Sequence, residues 1–287
     1  MHESRPSRTA HRVAIRRAEH QLLDDPPVFT DALALSIIGA EAAAALRAER
    51  SRDNVVARSM RAFLAVRSRY AEDQLAAAVA RGVRQYVLLG AGLDTFAYRN
   101  AHSGTGLRVF EVDYPATQAW KRELLEAAGI RIPAELAFAP VDFERQTLAD
   151  GLRSAGFQMQ EAAFFSWLGV TPYLTREACL ATLDLIASTA PSGCVVFDYA
   201  VNRTSLGLLE RMALDALSKR VAAAGEPFQL FFDPLELGDE MRRRGFELVE
   251  DVGANEINAR YFSERADKLR VRGGLGHLLS AKVAARL

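Results

Sequence analysis

The sequence predicts an α/β fold, a mostly parallel sheet flanked by helices and preceded by a helical N-terminal cap. Two observations carry this. The first 82 residues contain no run that reads as a strand, whereas from residue 84 short apolar runs alternate with segments of helical periodicity. The first of those runs, Tyr86-Val-Leu-Leu89, opens into Gly90-Ala91-Gly92, the pattern of a buried parallel strand that turns sharply at its carboxyl end.

In chain order, Asp24-Asp25-Pro26-Pro27 breaks the first helix, because proline cannot continue a helix interior and restricts the residue before it. Val55, Val56, Ser59, Phe63 and Val66 recur at helical spacing further along the cap. The arginines at 5, 8, 12, 16 and 17 read as a solvated helix face in preference to an anion-binding arm. Strands are expected at 85–90, 107–112, 136–141, 162–168 and 193–199, with helices at 115–128, 175–190 and 205–224 between them. Strands separated by helices imply right-handed crossovers and a sheet covered on both faces. Runs at 246–251 and 275–284 depart from the alternation and are expected to pair antiparallel at an edge. One domain is expected, with 1–82 as its helical cap or lid and 83–287 as its sheet.

Composition narrows the class. With 49% hydrophobic and 25% charged residues the chain reads as globular, and 36 basic against 36 acidic residues give a formal net charge of zero. No global field therefore draws it to nucleic acid or to an anionic membrane, and neither partner is expected. Cys179 and Cys194 stand alone in apolar segments and read as buried reduced thiols, outside any metal-ligand spacing. The apolar stretch 33–46 is too short to span a bilayer and contains Glu41, and the first residues lack the apolar core of a signal peptide. A cytoplasmic protein without a bound metal is expected.

In an open parallel sheet the ligand crevice lies outside the carboxyl ends of the strands, so those ends hold the candidate residues. The dinucleotide fingerprint wants a third glycine three residues after Gly92; Thr95 stands there, which disfavours a pyrophosphate grip. The second strand ends in Asp113, 21 residues beyond Gly92, the separation at which an acid accepts hydrogen bonds from ribose hydroxyls. Glu111 on the same strand competes for that role, and a solvated turn aspartate before Pro115 is the plain alternative. The third strand ends in Asp142-Phe143, a carboxylate suited to an adenine amine beside a ring suited to cover it.

The segments Arg67-Ser-Arg-Tyr-Ala-Glu-Asp73, Leu88-Leu-Gly-Ala-Gly-Leu-Asp-Thr-Phe-Ala-Tyr-Arg99, Glu111-Val-Asp-Tyr-Pro115 and Val141-Asp142 together resemble the leucine carboxyl methyltransferase family. The bacterial branch, which includes polyketide carboxyl O-methyltransferases, is the closer likeness. Thr9-Ala-His-Arg-Val-Ala14, Asp24-Asp-Pro-Pro-Val-Phe29 and Ala259-Arg-Tyr-Phe-Ser-Glu-Arg-Ala-Asp267 extend the resemblance over most of the chain. It implies a class I, Rossmann-like methyltransferase fold with a seven-stranded sheet, S-adenosylmethionine as cofactor and S-adenosylhomocysteine as product. It further implies that Gly90, Ala91 and Gly92 line the methionine end, that Asp113 with Tyr114 holds the ribose, and that Asp142 and Phe143 hold the adenine. Arg67 matches the arginine that grips the cofactor carboxylate; Arg69 and Asp73 complete its motif, with ligand contact and helix packing both open to them. Many relatives carry Glu-Gly at the end of the fourth strand, and here Leu168 stands in place of that glutamate within the cofactor-binding set, followed by Gly169. Tyr173 keeps its place and is the candidate for orienting the acceptor.

The family's acceptor is usually a carboxylate, here of a small molecule or peptide. A carboxylate needs no general base, in keeping with the lack of a Ser/His/Asp arrangement among five histidines. For a hydroxyl acceptor, His102 and His277 are the histidines outside the N-terminal segment, and neither follows a strand end in the expected crevice. The competing readings are a nicotinamide-dependent oxidoreductase on a similar sheet, and a catalytically silent cofactor-binding protein motivated by Leu168.

Overall fold

The computed structural model describes residues 7–48, 54–142, 146–189, 193–223 and 227–284. Four helices come first: α1 (Arg8–Leu23), α2 (Ala34–Ile37), α3 (Ala40–Ala48) and α4 (Val55–Ala80). Strands and helices then alternate as β1 (Gln85–Leu89), β2 (Arg108–Asp113), α5 (Pro115–Ala127), β3 (Leu136–Pro140), α6 (Leu148–Ser154), β4 (Ala163–Trp167), α7 (Arg176–Ser188) and β5 (Cys194–Ala200). The chain closes with α8 (Leu208–Ala223), α9 (Pro234–Arg243), β6 (Phe246–Val252), α10 (Ala254–Tyr261) and β7 (Gly276–Val283). Each expected strand is present to within a residue or two.

The seven strands form one sheet in the order β3-β2-β1-β4-β5-β7-β6. The first five are parallel, and β7 runs antiparallel to β5 on one side and β6 on the other. The chain moves outward from β1 to β3 and then returns to the far side of β1 with β4. Strand order thus reverses between β1 and β4, and the crevice opens at their carboxyl ends. No helix among the described residues is long and apolar enough to cross a membrane.

The four leading helices serve two purposes. α4 buries Val66, Tyr70, Ala71, Leu75 and Ala78 against Tyr86, Leu88, Phe164, Val196 and Leu278, so it covers one face of the sheet. The opposite face is covered by Leu148 and Leu152 of α6, Leu183 and Ile186 of α7, and Leu237 and Met241 of α9. α1 to α3 pack elsewhere: Ala14, Ala18, Ala34, Ile37 and Ala43 close on Leu93, just past β1, and on Leu125 of α5. These three helices sit over the loop that follows β1.

Two buried polar networks hold them there. Arg17, read from sequence as part of a solvated face, is 6% exposed and bonds Asp31 and, at 2.8 Å, the Thr95 hydroxyl. Thr95 donates to Asp31 at 2.8 Å and accepts from Arg99 Nε at 3.0 Å. Burial works against the charged Asp31, yet Arg17 and Arg99 overcome it and hold its carboxyl below the usual range. A helical periodicity shows which residues share a face; the partner 14 positions away that takes Arg17 inward is a tertiary fact. In the second network Arg61 grips Asp24 in a fork, Nε to Oδ2 at 2.7 Å and Nη2 to Oδ1 at 2.8 Å. His20 Nδ1 lies 2.7 Å from Asp24, and its Nε2 accepts from the amides of Val28 and Phe29 at 3.0 and 3.2 Å. The helix-breaking Asp24-Asp25-Pro26-Pro27 turn is thereby anchored to α4. Despite burial, Arg61 and His20 bring the Asp24 carboxyl down to about 2.

Removing Arg61 leaves the buried Asp24 with only His20 of the two partners described above, so Arg61→Ala is expected to cost about 3 kcal/mol in urea unfolding. Asp24→Asn gives the pH signature. A carboxyl depressed on folding adds stability above its unfolded value near 3.8, and that stability disappears as pH falls toward 2. The difference between wild type and Asp24→Asn should be constant above about pH 5 and shrink through that acid window.

Candidate functional site

The turn after β1 is built from glycines with positive φ, +68° at Gly90 and +48° at Gly92. This curls the chain across the end of β2: the Gly90 and Ala91 amides both donate to the Val112 carbonyl, at 2.9 and 3.0 Å. The Gly92 amide donates to Asp113 Oδ2 at 2.6 Å, and the Tyr114 amide to Asp113 Oδ1 at 2.7 Å. All three loop amides are therefore spent inside the fold, and no cradle of N–H groups is left for a pyrophosphate.

The side of each glycine where a Cβ would stand is filled from within the fold. A Cβ at Gly90 would lie 2.4 Å from a Val170 methyl, and one at Gly92 would lie 3.1 Å from the Ala10 Cβ. The β1 turn is glycine because the loop after β4 and the first turn of α1 close against it. Thr95, in the third-glycine position, is the hydroxyl of the Arg17–Asp31 network and cannot admit a phosphate.

Of the two acids on β2, Glu111 is fully buried and bonded to Lys121 Nζ at 2.7 Å, with Gln118 donating to its carbonyl. Burial pushes its carboxyl up to about 7, against the attraction of Lys121. It belongs to the interior between β2 and α5. Asp113 lies half-buried at the carboxyl end of β2, each oxygen accepting one main-chain N–H, with the Thr117 side chain as a further donor to the carboxylate. Burial pushes its carboxyl up and the two amides pull it back. Asp142 follows β3, half-buried, its carbonyl accepting from Gln146; Phe143 lies outside the described residues.

Across the strand-order reversal stands the second half of the site. Arg67, 7% exposed on α4, donates from Nη1 to Asp198 Oδ2 at 2.9 Å, and Asp198 Oδ1 accepts the Gly169 amide at 2.5 Å. A Cβ at Gly169 would lie within 2.8–2.9 Å of both Arg67 terminal nitrogens, so glycine there admits the guanidinium. The Asp198 carbonyl accepts the Thr171 hydroxyl at 2.7 Å, fixing the whole β4 loop to the end of β5. Leu168 packs partly buried among the apolar residues under α4. Tyr173 closes the β4 loop with its ring 5.3 Å from Phe228. Arg69 and Asp73 form an exposed i, i+4 pair at 2.8 Å and do not enter the site.

Asp198 escaped sequence reasoning: like Asp113 it is an acid late in an apolar strand, but Tyr199 and Ala200 continue β5 beyond it. The reading of His277 also needs correction. Because β7 is antiparallel it begins where β5 ends, which puts His277 at the carboxyl edge of the sheet opposite Tyr199. His277 Nδ1 lies 3.0 Å from Asp251 Oδ1, and the Tyr199 hydroxyl donates to Asp251 Oδ2 at 2.7 Å. His102 sits on the 101–106 turn before β2, at the other edge. No cluster of three metal-binding side chains occurs among the described residues.

The arrangement offers a carboxylate at the β2 end and a buried Arg–Asp pair beyond β4, with no phosphate cradle between them. Those donors and acceptors suit a nucleoside joined to an amino acid, the build of S-adenosylmethionine. The Gly90 packing gives a direct test. Gly90→Ala should lower stability by about 2–4 kcal/mol through a methyl clash added to left-handed strain. In the double variant with Val170→Ala, unfolding measurements should recover the clash and leave about 1 kcal/mol of strain.

The chain matches the leucine carboxyl methyltransferase family over residues 10–187. It is 38% identical over 206 residues to YktD of Bacillus subtilis, which is assigned by name to the S-adenosyl-L-methionine-dependent methyltransferases; the match covers 71% of this chain and 67% of that one. A similarly named protein of Saccharopolyspora erythraea is 29% identical over 284 residues, covering 96% and 94% of the two chains. Among solved structures, a DUF574 family protein from Streptomyces avermitilis shares the fold, with a TM-score of 0.53 at 17% identity over 79% of this chain and 84% of that one. Family match, sheet order and crevice agree: the chain belongs to the leucine carboxyl methyltransferase family of S-adenosylmethionine-dependent methyltransferases.

Proposed function

We propose that this methyltransferase acts on oxygen, most naturally a carboxylate of a small molecule or peptide, by direct in-line transfer. The observation that supports the reading is that polar groups lie on either side of the β1–β4 reversal, Asp113 at the end of β2 and Arg67 bonded to Asp198 of β5. Bound S-adenosylmethionine supplies an activated sulfonium methyl group. The chain's own task is then to bind, align and exclude water.

Asp113 would use the acceptor capacity left to it for the ribose hydroxyls, with Tyr114 beside it. Asp142 and Phe143 would take the adenine. Arg67 donates one of its N–H groups to Asp198 and would offer others to the cofactor carboxylate. Gly90, Ala91, Gly92 and Leu168 would line the methionine end, where the apolar Leu168 keeps water from the transfer path. α1 to α3, closed on the β1 turn through Ala10 and Arg17, would act as the lid, and Tyr173 would orient the acceptor. A carboxylate acceptor is already a nucleophile and asks for no proton acceptor.

One observation favours a second reading, a hydroxyl acceptor. His277 has its Nδ1 beside Asp251, which leaves Nε2 to take a proton, at the same edge of the sheet as the site.

Calorimetry with S-adenosylhomocysteine tests the cofactor assignment: saturable binding is expected for the wild type, and Asp113→Ala should abolish it or weaken it by more than tenfold. Absence of heat in the wild type, or undiminished binding by the variant, would refute the site. A screen of carboxylate and phenolic acceptors with labelled S-adenosylmethionine then separates the readings. Carboxylate methylation that survives His277→Ala supports the first. Phenol methylation that falls about 10²- to 10⁴-fold in that variant supports the second, and cofactor binding without transfer to either class points to a silent protein.

A further inference from the structure

Asp198 is a charged group of the site that the family resemblance assigned to nothing. It is 5% exposed, at the carboxyl end of β5, and holds Arg67 Nη1 at 2.9 Å and the Gly169 amide at 2.5 Å. With leucine at 168, Asp198 is the carboxylate of the β4 and β5 ends among the described residues. Each of its oxygens accepts one bond and retains a lone pair, while Arg67 has N–H groups beyond the one it gives. The buried pair therefore presents unsatisfied capacity of both signs at one place.

Charge balance says what fits. The methionine end of S-adenosylmethionine carries an ammonium, a sulfonium and a carboxylate, a net charge of plus one. Meeting it with Arg67 alone would bury a net charge of plus two, which is costly in a dry site. Asp198 returns the total to plus one before transfer and to zero once the sulfonium has become a thioether.

Resting on the cofactor assignment above, we propose that Asp198 accepts the α-ammonium group of the cofactor, so that the Arg67–Asp198 pair recognises the amino-acid end as a zwitterion. Asp198 is then a specificity-determining residue as well as the group that positions Arg67. It favours ligands carrying both charges over nucleosides that carry one or neither.

Binding measured by calorimetry on the full chain, with three probes, tests this without turnover. The probes are S-adenosylhomocysteine, its deamino analogue, and 5′-methylthioadenosine, which lacks both charged groups. The wild type should prefer S-adenosylhomocysteine to the deamino analogue by about 10- to 100-fold, the worth of a charged hydrogen bond. In Asp198→Asn that preference should collapse to within about threefold, with methylthioadenosine binding unchanged. Equal loss for all three probes in Asp198→Asn would mean a purely structural residue and would overturn the proposal. Should that variant not fold, the wild-type ratio still decides: equal affinity for S-adenosylhomocysteine and its deamino analogue overturns it. A wild type that binds none of the probes fails at the earlier step, the cofactor assignment itself.

Discussion

The turn from Gly90 to Gly92 is the constraint around which the molecule is arranged. Its positive φ values send the chain across the end of β2, so that Val112 and Asp113 receive its three amides. That curl brings the bare face of Gly90 to Val170 and that of Gly92 to Ala10. β1, β2, the loop after β4 and the first cap helix thus meet at three residues; a side chain at 90 would clash with Val170, one at 92 would crowd Ala10, and both would strain a left-handed backbone. The two polar halves of the site fall on either side of this junction because strand order reverses there.

The same junction explains how a sheet shared with dinucleotide-binding proteins is turned to another ligand. A pyrophosphate needs free amides and a close glycine at the third position. Here the amides are consumed, and Thr95 ties Arg17, Asp31 and Arg99 into the cap. Polar capacity remains at Asp113 and at Arg67 with Asp198, which under the proposed function would meet hydroxyls and an amino-acid end instead of phosphates.

Buried charge is used in this fold to fasten helices as well as to build the site. Arg17–Asp31 and Arg61–Asp24 hold α1 to the β1 turn and to α4, and Lys121–Glu111 holds α5 to β2. Such pairs add little net stability over an apolar contact, but a broken one is expensive, so they fix one arrangement of the cap against alternatives.

The order and type of the elements are legible in the sequence, because alternation of apolar strand runs with helical periodicity is a local property of the chain. So are Asp113 and the positions of Gly90 and Gly92, since an acid or a glycine at the end of an apolar run is a local signal. What those residues meet is set by the folded molecule. Whether Arg17 faces water or Asp31, whether Glu111 or Asp113 lies in the interior, and what stands against the Cβ side of Gly90 and Gly92 all depend on partners distant in the chain. Asp198, like Asp113, is an acid late in an apolar strand, but its meaning came from Arg67, 131 positions away on α4. His277 lay hidden for a related reason: strand direction, which places it at the crevice edge, is set by pairing across the sheet and leaves no mark on the residue itself.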